Sequence, residues 1–151
     1  MSSMGIETIV LAVGPDDEDR ATRLAEEAET LARETGASVV LTHVFTESEV
    51  SKAEEQLDFE GRTPVDEVAR RHSTVRYIES ILDESDVAYR VEGAVGDHGE
   101  SIVAVAEATD ADRILVGGSG HSPTGKAVFG STPQEVMLSA DCPVTYVRAG
   151  A

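Results

Sequence analysis

The sequence predicts an α/β fold: one doubly wound sheet of five parallel strands with helices on both faces. Three observations predict it. Short apolar, β-branched runs alternate with stretches of helical periodicity along the whole chain. The central runs lack polar alternation, as strands buried on both faces do. The first and fourth runs end in glycine turns, Gly14 and Gly117-Gly118, as strands flanking a ligand crevice do. The expected strand order is 3-2-1-4-5, with right-handed crossovers.

The first strand is Ile6–Val13. Gly14-Pro15-Asp16 ends it and offers Asp16 or Asp17 as a helix N-cap. Ala21, Leu24, Ala25, Ala28, Leu31 and Ala32 then follow the i, i+3, i+4, i+7 rule of an amphipathic helix, which Gly36 stops. Ser38–Phe45 is the second strand. Thr46–Thr63 is polar and acidic and reads as a long loop with a helical turn around Val50–Leu57. One helix follows, with Val68, Val75, Ile78, Ile81 and Leu82 as its apolar stripe. Val87–Ala94 alternates more, as an edge strand does. Gly96-Asp97 precedes a helix marked by Ile102, Val105, Ala106 and Thr109. Ile114–Val116 is the fourth strand, Pro133–Ala140 a helix and Pro143–Val147 the fifth strand.

The chain has 151 residues, room for one domain with a core. It has 29 Asp and Glu against 12 Lys and Arg, a net charge of -17. That balance argues against nucleic acid or an anionic membrane as partner, since both select basic faces. Lys52 and Lys126 are the only lysines. Acid-rich, lysine-poor and alanine-rich composition has the character of adaptation to high salt, as in a halophilic archaeon, where counterions screen self-repulsion. No apolar run approaches the roughly 20 residues of a membrane span, and Met1–Gly5 has no signal character. The expected location is the cytoplasm. Cys142 is the single cysteine and reads as a small buried hydrophobe before Pro143 rather than a redox group.

The chemistry-bearing feature is Gly117-Gly118-Ser119-Gly120, then nine residues, then Gly130-Ser131-Thr132. Bare backbone amides lie at a strand end and at a helix start, a setting that binds phosphate. Three phosphate motifs compete for it. Gly120 to Lys126 is close to a Walker A loop, but Ala127 stands where a metal-binding hydroxyl is needed, and the helix starts later. A dinucleotide loop requires G-x-G-x-x-G after the first strand, which Gly14-Pro15-Asp16 does not provide. The third pattern is Gly117-x2-Gly120-x9-Gly130-Ser131.

That third pattern resembles the nucleotide-binding signature of the universal stress protein (UspA-like) family. Ile9–Val13 is similar to the family's opening strand, and Leu41-Thr42-His43-Val44 to the end of its second. Gly96-Asp97, Ala111–Gly117 and Cys142-Pro143-Val144 follow in the family's order. The resemblance covers nearly all of residues 1–151 as a single domain. It implies a Rossmann-like fold of the adenine nucleotide alpha hydrolase-like type, and ATP, ADP or AMP in the crevice between strands one and four. Val13 and Val44 would cradle adenine, with Gly14 at the strand-one end. Gly117 would lie along the ribose, and Gly120, Gly130, Ser131 and the Thr132 amide would hold phosphates. It also implies a homodimer paired through the C-terminal strand and a regulatory role in stress response. The family commonly has an Asp where this chain has Gly14.

Several residues carry two readings. Thr132 and Glu135 fit a capping box, which leaves Ser131 as the freer phosphate donor. Asp16 or Asp17 is either an N-cap or a carboxylate for a phosphate-bound Mg²⁺ or Mn²⁺. His121 and Lys126 are the cationic candidates near the phosphates, or simply part of a solvated loop. His43 belongs in or at the end of a strand, His72 and His98 at the surface. No nucleophile elbow or general base is evident, so any ATP hydrolysis is expected to be slow. A nucleotide-free homodimeric interaction protein of the same fold is the alternative.

Overall fold

The computed structural model describes residues 5–56, 64–118 and 130–148. Its sheet has the order β3-β2-β1-β4-β5. The strands are β1 (Thr8–Val13), β2 (Ser38–Phe45), β3 (Tyr89–Val95), β4 (Arg113–Gly118) and β5 (Val144–Arg148), all parallel. The helices are α1 (Ala21–Thr35), α2 (Glu47–Gln56), α3 (Val65–Arg71), α4 (Ser73–Leu82), α5 (His98–Ala108) and α6 (Ser131–Ser139).

Successive side chains of a strand point to opposite faces, and here both faces are covered. Ile9, Leu11 and Val13 of β1 pack with Leu24, Ala25 and Ala28 of α1 and with Val75, Ile78 and Leu82 of α4. Val10 and Ala12 pack on the other side with Ile102 and Ala106 of α5 and Val136 of α6. Burial on both faces is why β1, β2 and β4 read as nearly continuous apolar runs. Among the described residues no helix is long and apolar enough to cross a membrane.

The structure departs from the sequence expectations in several places. The single helix expected after residue 64 is two helices, because His72 is extended (φ -69°, ψ 137°) between α3 and α4. Its ring turns inward onto His43, with centroids 4.2 Å apart, and its Nδ1 accepts from the Thr74 amide as the cap of α4. His72 is therefore half-buried rather than a surface residue. The turn expected near Val50 is the full helix α2. Thr46 Oγ1 accepts from the Glu49 amide while Glu49 Oε1 accepts from the Thr46 amide, a reciprocal capping box.

Neither Asp16 nor Asp17 forms a side-chain cap on α1; a 3₁₀ turn, Glu18–Arg20, leads into that helix instead. Nor does the Thr132–Glu135 box form. Gly130 occupies the cap position, α6 starts at Ser131, and Glu135 lies against Gly99 at the start of α5.

Candidate functional site

The carboxyl ends of β1 and β4 open into a crevice of about 400 Å³. Val13, Gly14, Val44, Gly117, Gly130, Ser131 and Thr132 all line it. These expected site residues come from four separate elements, and the strand order brings them together. β1 and β4 are neighbours whose following helices, α1 and α6, lie on opposite faces, so their ends part. Gly120, His121 and Lys126 lie outside the described residues.

Gly130 has φ 87° and ψ 162°, a backbone that side chains rarely adopt. It turns the chain so that α6 begins at the crevice. Ser131 and Thr132 occupy the first turn of α6, where amide groups have no partner within the helix and carry its positive end.

The opposite wall holds a pair that sequence reasoning did not assemble. Asp17 Oδ2 accepts from the Gly14 amide at 2.7 Å, and Asp17 Oδ1 accepts from Arg20 Nε at 2.6 Å. The carboxylate thus folds back to the end of β1 instead of capping α1. Both side chains are nearly buried, 12 % exposed for Arg20 and 11 % for Asp17. Burial lifts the Asp17 carboxyl above its ordinary range, and the guanidinium and the Gly14 amide pull it back only in part. The i, i+3 spacing of Asp17 and Arg20 was the available signal. Arg20 therefore joins the cations expected near this site.

Gly117 sits directly beneath that pair. A Cβ there would lie 2.9 Å from both Cδ and Nε of Arg20 and 3.2 Å from Asp17 Oδ1. A side chain at this position would have to push the end of the Arg20 side chain away from Asp17.

His98, expected at the surface, is half-buried and lines the crevice at the start of α5. Its Nε2 pairs with Glu49 Oε1 at 2.8 Å. Burial raises the Glu49 carboxyl, but the Thr46 amide and His98 outweigh it and hold the group below its usual range. Asp16 is exposed at the crevice edge, whereas each Asp17 oxygen already has a partner.

His43 is 1 % exposed, stacked on Phe45 at 4.2 Å. Among the described residues neither ring nitrogen has a hydrogen-bond partner. Its ring faces away from the crevice into the α1–α4 layer, while its neighbour Val44 faces the crevice. Burial first, then His72 and His98, push its pKa down to about 3. It is a neutral core residue.

A larger open concavity of about 830 Å³ lies at the other end of the strands. Glu7, Glu107, Asp110, Asp112 and Asp141 line it, so its charge opposes an anionic ligand. Cys142 lies there too, its thiol pushed up by burial and then by Asp112, and so protonated at neutral pH.

Residues 5–148 match the model of the universal stress protein family. The chain is 30% identical over 146 residues to a universal stress protein of Thermus aquaticus, covering 93% of this chain and 98% of that one. A universal stress protein from Archaeoglobus fulgidus, solved in complex with dAMP, superposes with a TM-score of 0.58 at 25% identity, covering 95% of this chain and 98% of that one. A universal stress protein solved in complex with cAMP shares the fold, with a TM-score of 0.68 at 19% identity over 97% of this chain and 99% of that one. On this match, which spans nearly its whole length, the chain belongs to the universal stress protein family.

Proposed function

We propose that the crevice binds an adenine nucleotide, ATP or the related ADP or AMP, and that the protein acts as a regulatory stress-response module. The observation that carries this reading is the convergence of Gly130-Ser131 at the start of α6 with Val13, Val44 and Gly117 on one 400 Å³ crevice. Its amide-lined helix start suits phosphate, and its valines suit an adenine ring. The relatives solved with dAMP and cAMP support an adenine ligand. Val13, Gly14 and Val44 serve the base, Gly117 the ribose, and Gly130, Ser131 and Thr132, with Gly120, the phosphates. Asp16, exposed at the rim, is the carboxylate best placed for a phosphate-bound Mg²⁺ or Mn²⁺.

The reading includes a homodimer paired through β5, an edge of the sheet. Leu138, 79% exposed on the neighbouring helix α6, supports it, since an apolar group beside an open strand edge gains from cover. Among the described residues no general base is placed for a γ-phosphate, and the reading assigns the crevice to binding, with any ATP hydrolysis slow.

Protein purified in high KCl and then denatured should release adenine nucleotide into the supernatant. Emptied protein should melt higher when ATP is added. Neither release nor a shift would leave the second reading, a nucleotide-free dimeric interaction protein, which Gly14 at the end of β1 favours.

A further inference from the structure

We propose that Arg20 is the group that reads the charge of the crevice ligand: its guanidinium binds the anionic part of the nucleotide, and Asp17 is the counter-charge that it rests on and that the ligand competes with. The proposal rests on the adenine-nucleotide reading of the same crevice.

Arg20 projects into that crevice from the turn before α1, on the wall facing Gly130-Ser131. Among the described residues only its Nε is engaged, with Asp17 Oδ1 at 2.6 Å. The guanidinium has further N–H donors on its two terminal nitrogens, in a fixed planar fork that matches phosphate oxygens. Asp17 is itself pinned by the Gly14 amide at 2.7 Å, so the carboxylate that offsets the guanidinium stays at the end of β1. Gly117 leaves room for it, since any side chain at that position would displace it.

The charge of the molecule sharpens the point. At a net -17, an anionic ligand approaches against the long-range field. The described lining carries the acids Asp16 and Asp17 against the always-charged Arg20 and the imidazole of His98. A permanently cationic, nearly buried donor is what lets such a crevice prefer a phosphorylated ligand over its neutral nucleoside.

The two partners predict opposite responses. Arg20→Gln removes the cation, and Asp17→Asn removes the acid that offsets it while keeping an oxygen for the Gly14 amide. An ion pair that served only the fold would make both variants fail alike.

The test is calorimetric titration of ATP and of adenosine into wild type, Arg20→Gln, Asp17→Asn and the double variant Asp17→Asn/Arg20→Gln, which buries no lone charge. The expected result is a loss of about tenfold or more for ATP in both Arg20→Gln proteins, with adenosine within about twofold of wild type. Asp17→Asn should bind ATP as well as wild type or a few-fold tighter. Equal losses for ATP and adenosine, or losses in both single variants, would overturn the proposal and leave nucleotide binding standing. Wild type that binds neither ligand would overturn the nucleotide reading and this proposal with it.

Discussion

Arg20 and Gly117 compete for one space: a Cβ on Gly117 would come within 2.9 Å of the Arg20 Cδ and Nε, which the Asp17 carboxylate holds in position. Gly117→Ala should therefore lose about 1–3 kcal/mol of stability, the usual cost of overpacking a filled site. Truncating the obstacle should restore it. In urea melts, Gly117→Ala/Arg20→Ala should be more stable than the sum of the single changes, a coupling expected of neighbours in contact. Additive losses would mean that the two residues do not meet.

Gly130 is required for a different reason. A Cβ there has space, with Pro133 Cδ the nearest atom at 3.7 Å, but φ is 87°. Gly130→Ala should cost roughly 1–2 kcal/mol through backbone strain alone. It should also weaken ATP, because relaxing the turn moves the first amides of α6. Thermal melts and an ATP titration on one preparation check both effects.

The buried His43 gives the fold a pH dependence whose sign is fixed. Its folded pKa, about 3, lies below its ordinary 6.5. The neutral ring's contribution is present above pH 6.5 and is lost as pH falls toward 3, because the unfolded chain takes up a proton that the folded one refuses. Between pH 6.5 and 5 the loss is about 1–2 kcal/mol, the slope approaching about 1.4 kcal/mol per unit only well below pH 6.5. His43→Phe should flatten that slope in urea midpoints. It should be neutral or stabilising at pH 7, since two unpartnered ring nitrogens leave the core. A His43→Phe slope equal to that of wild type would contradict this.

The net charge of -17 predicts a rise in melting temperature with KCl, as counterions screen repulsion among the surface carboxylates. A melting temperature independent of KCl from 0.1 to about 2 M would remove the case for adaptation to salt.

The sheet was legible because its strands are buried on both faces. Ser38–Phe45 has the same bounds in the sequence pattern and in the structure, and Gly36 caps α1 in the left-handed conformation as expected. The seven expected site residues that the structure describes fall on one crevice, because glycine turns after β1 and β4 mark the parting of their helices. The break at His72 was not legible: Val68 and Val75 keep the period of one helix, and only the tertiary contact with His43 draws His72 out of it. Helix α2 was legible in principle, since Thr46-Glu47-Ser48-Glu49 spells a capping box ahead of a weak apolar stripe. Asp17 looked like a cap because its spacing to α1 permits one. The unpaired amide at Gly14 and the guanidinium of Arg20 compete better for the carboxylate, and neither position is visible before the turn is built.

The claim that the crevice holds a nucleotide by its phosphates is tested most directly at Ser131. An acid in the first turn of a helix favours that helix, so Ser131→Asp should fold as well as wild type. The same carboxylate would face the phosphates. The account predicts saturable ATP binding to wild type in high KCl, weakened at least about tenfold in Ser131→Asp at an unchanged or higher melting temperature. No saturable heat with wild type, or equal ATP affinity in the two proteins, would contradict it.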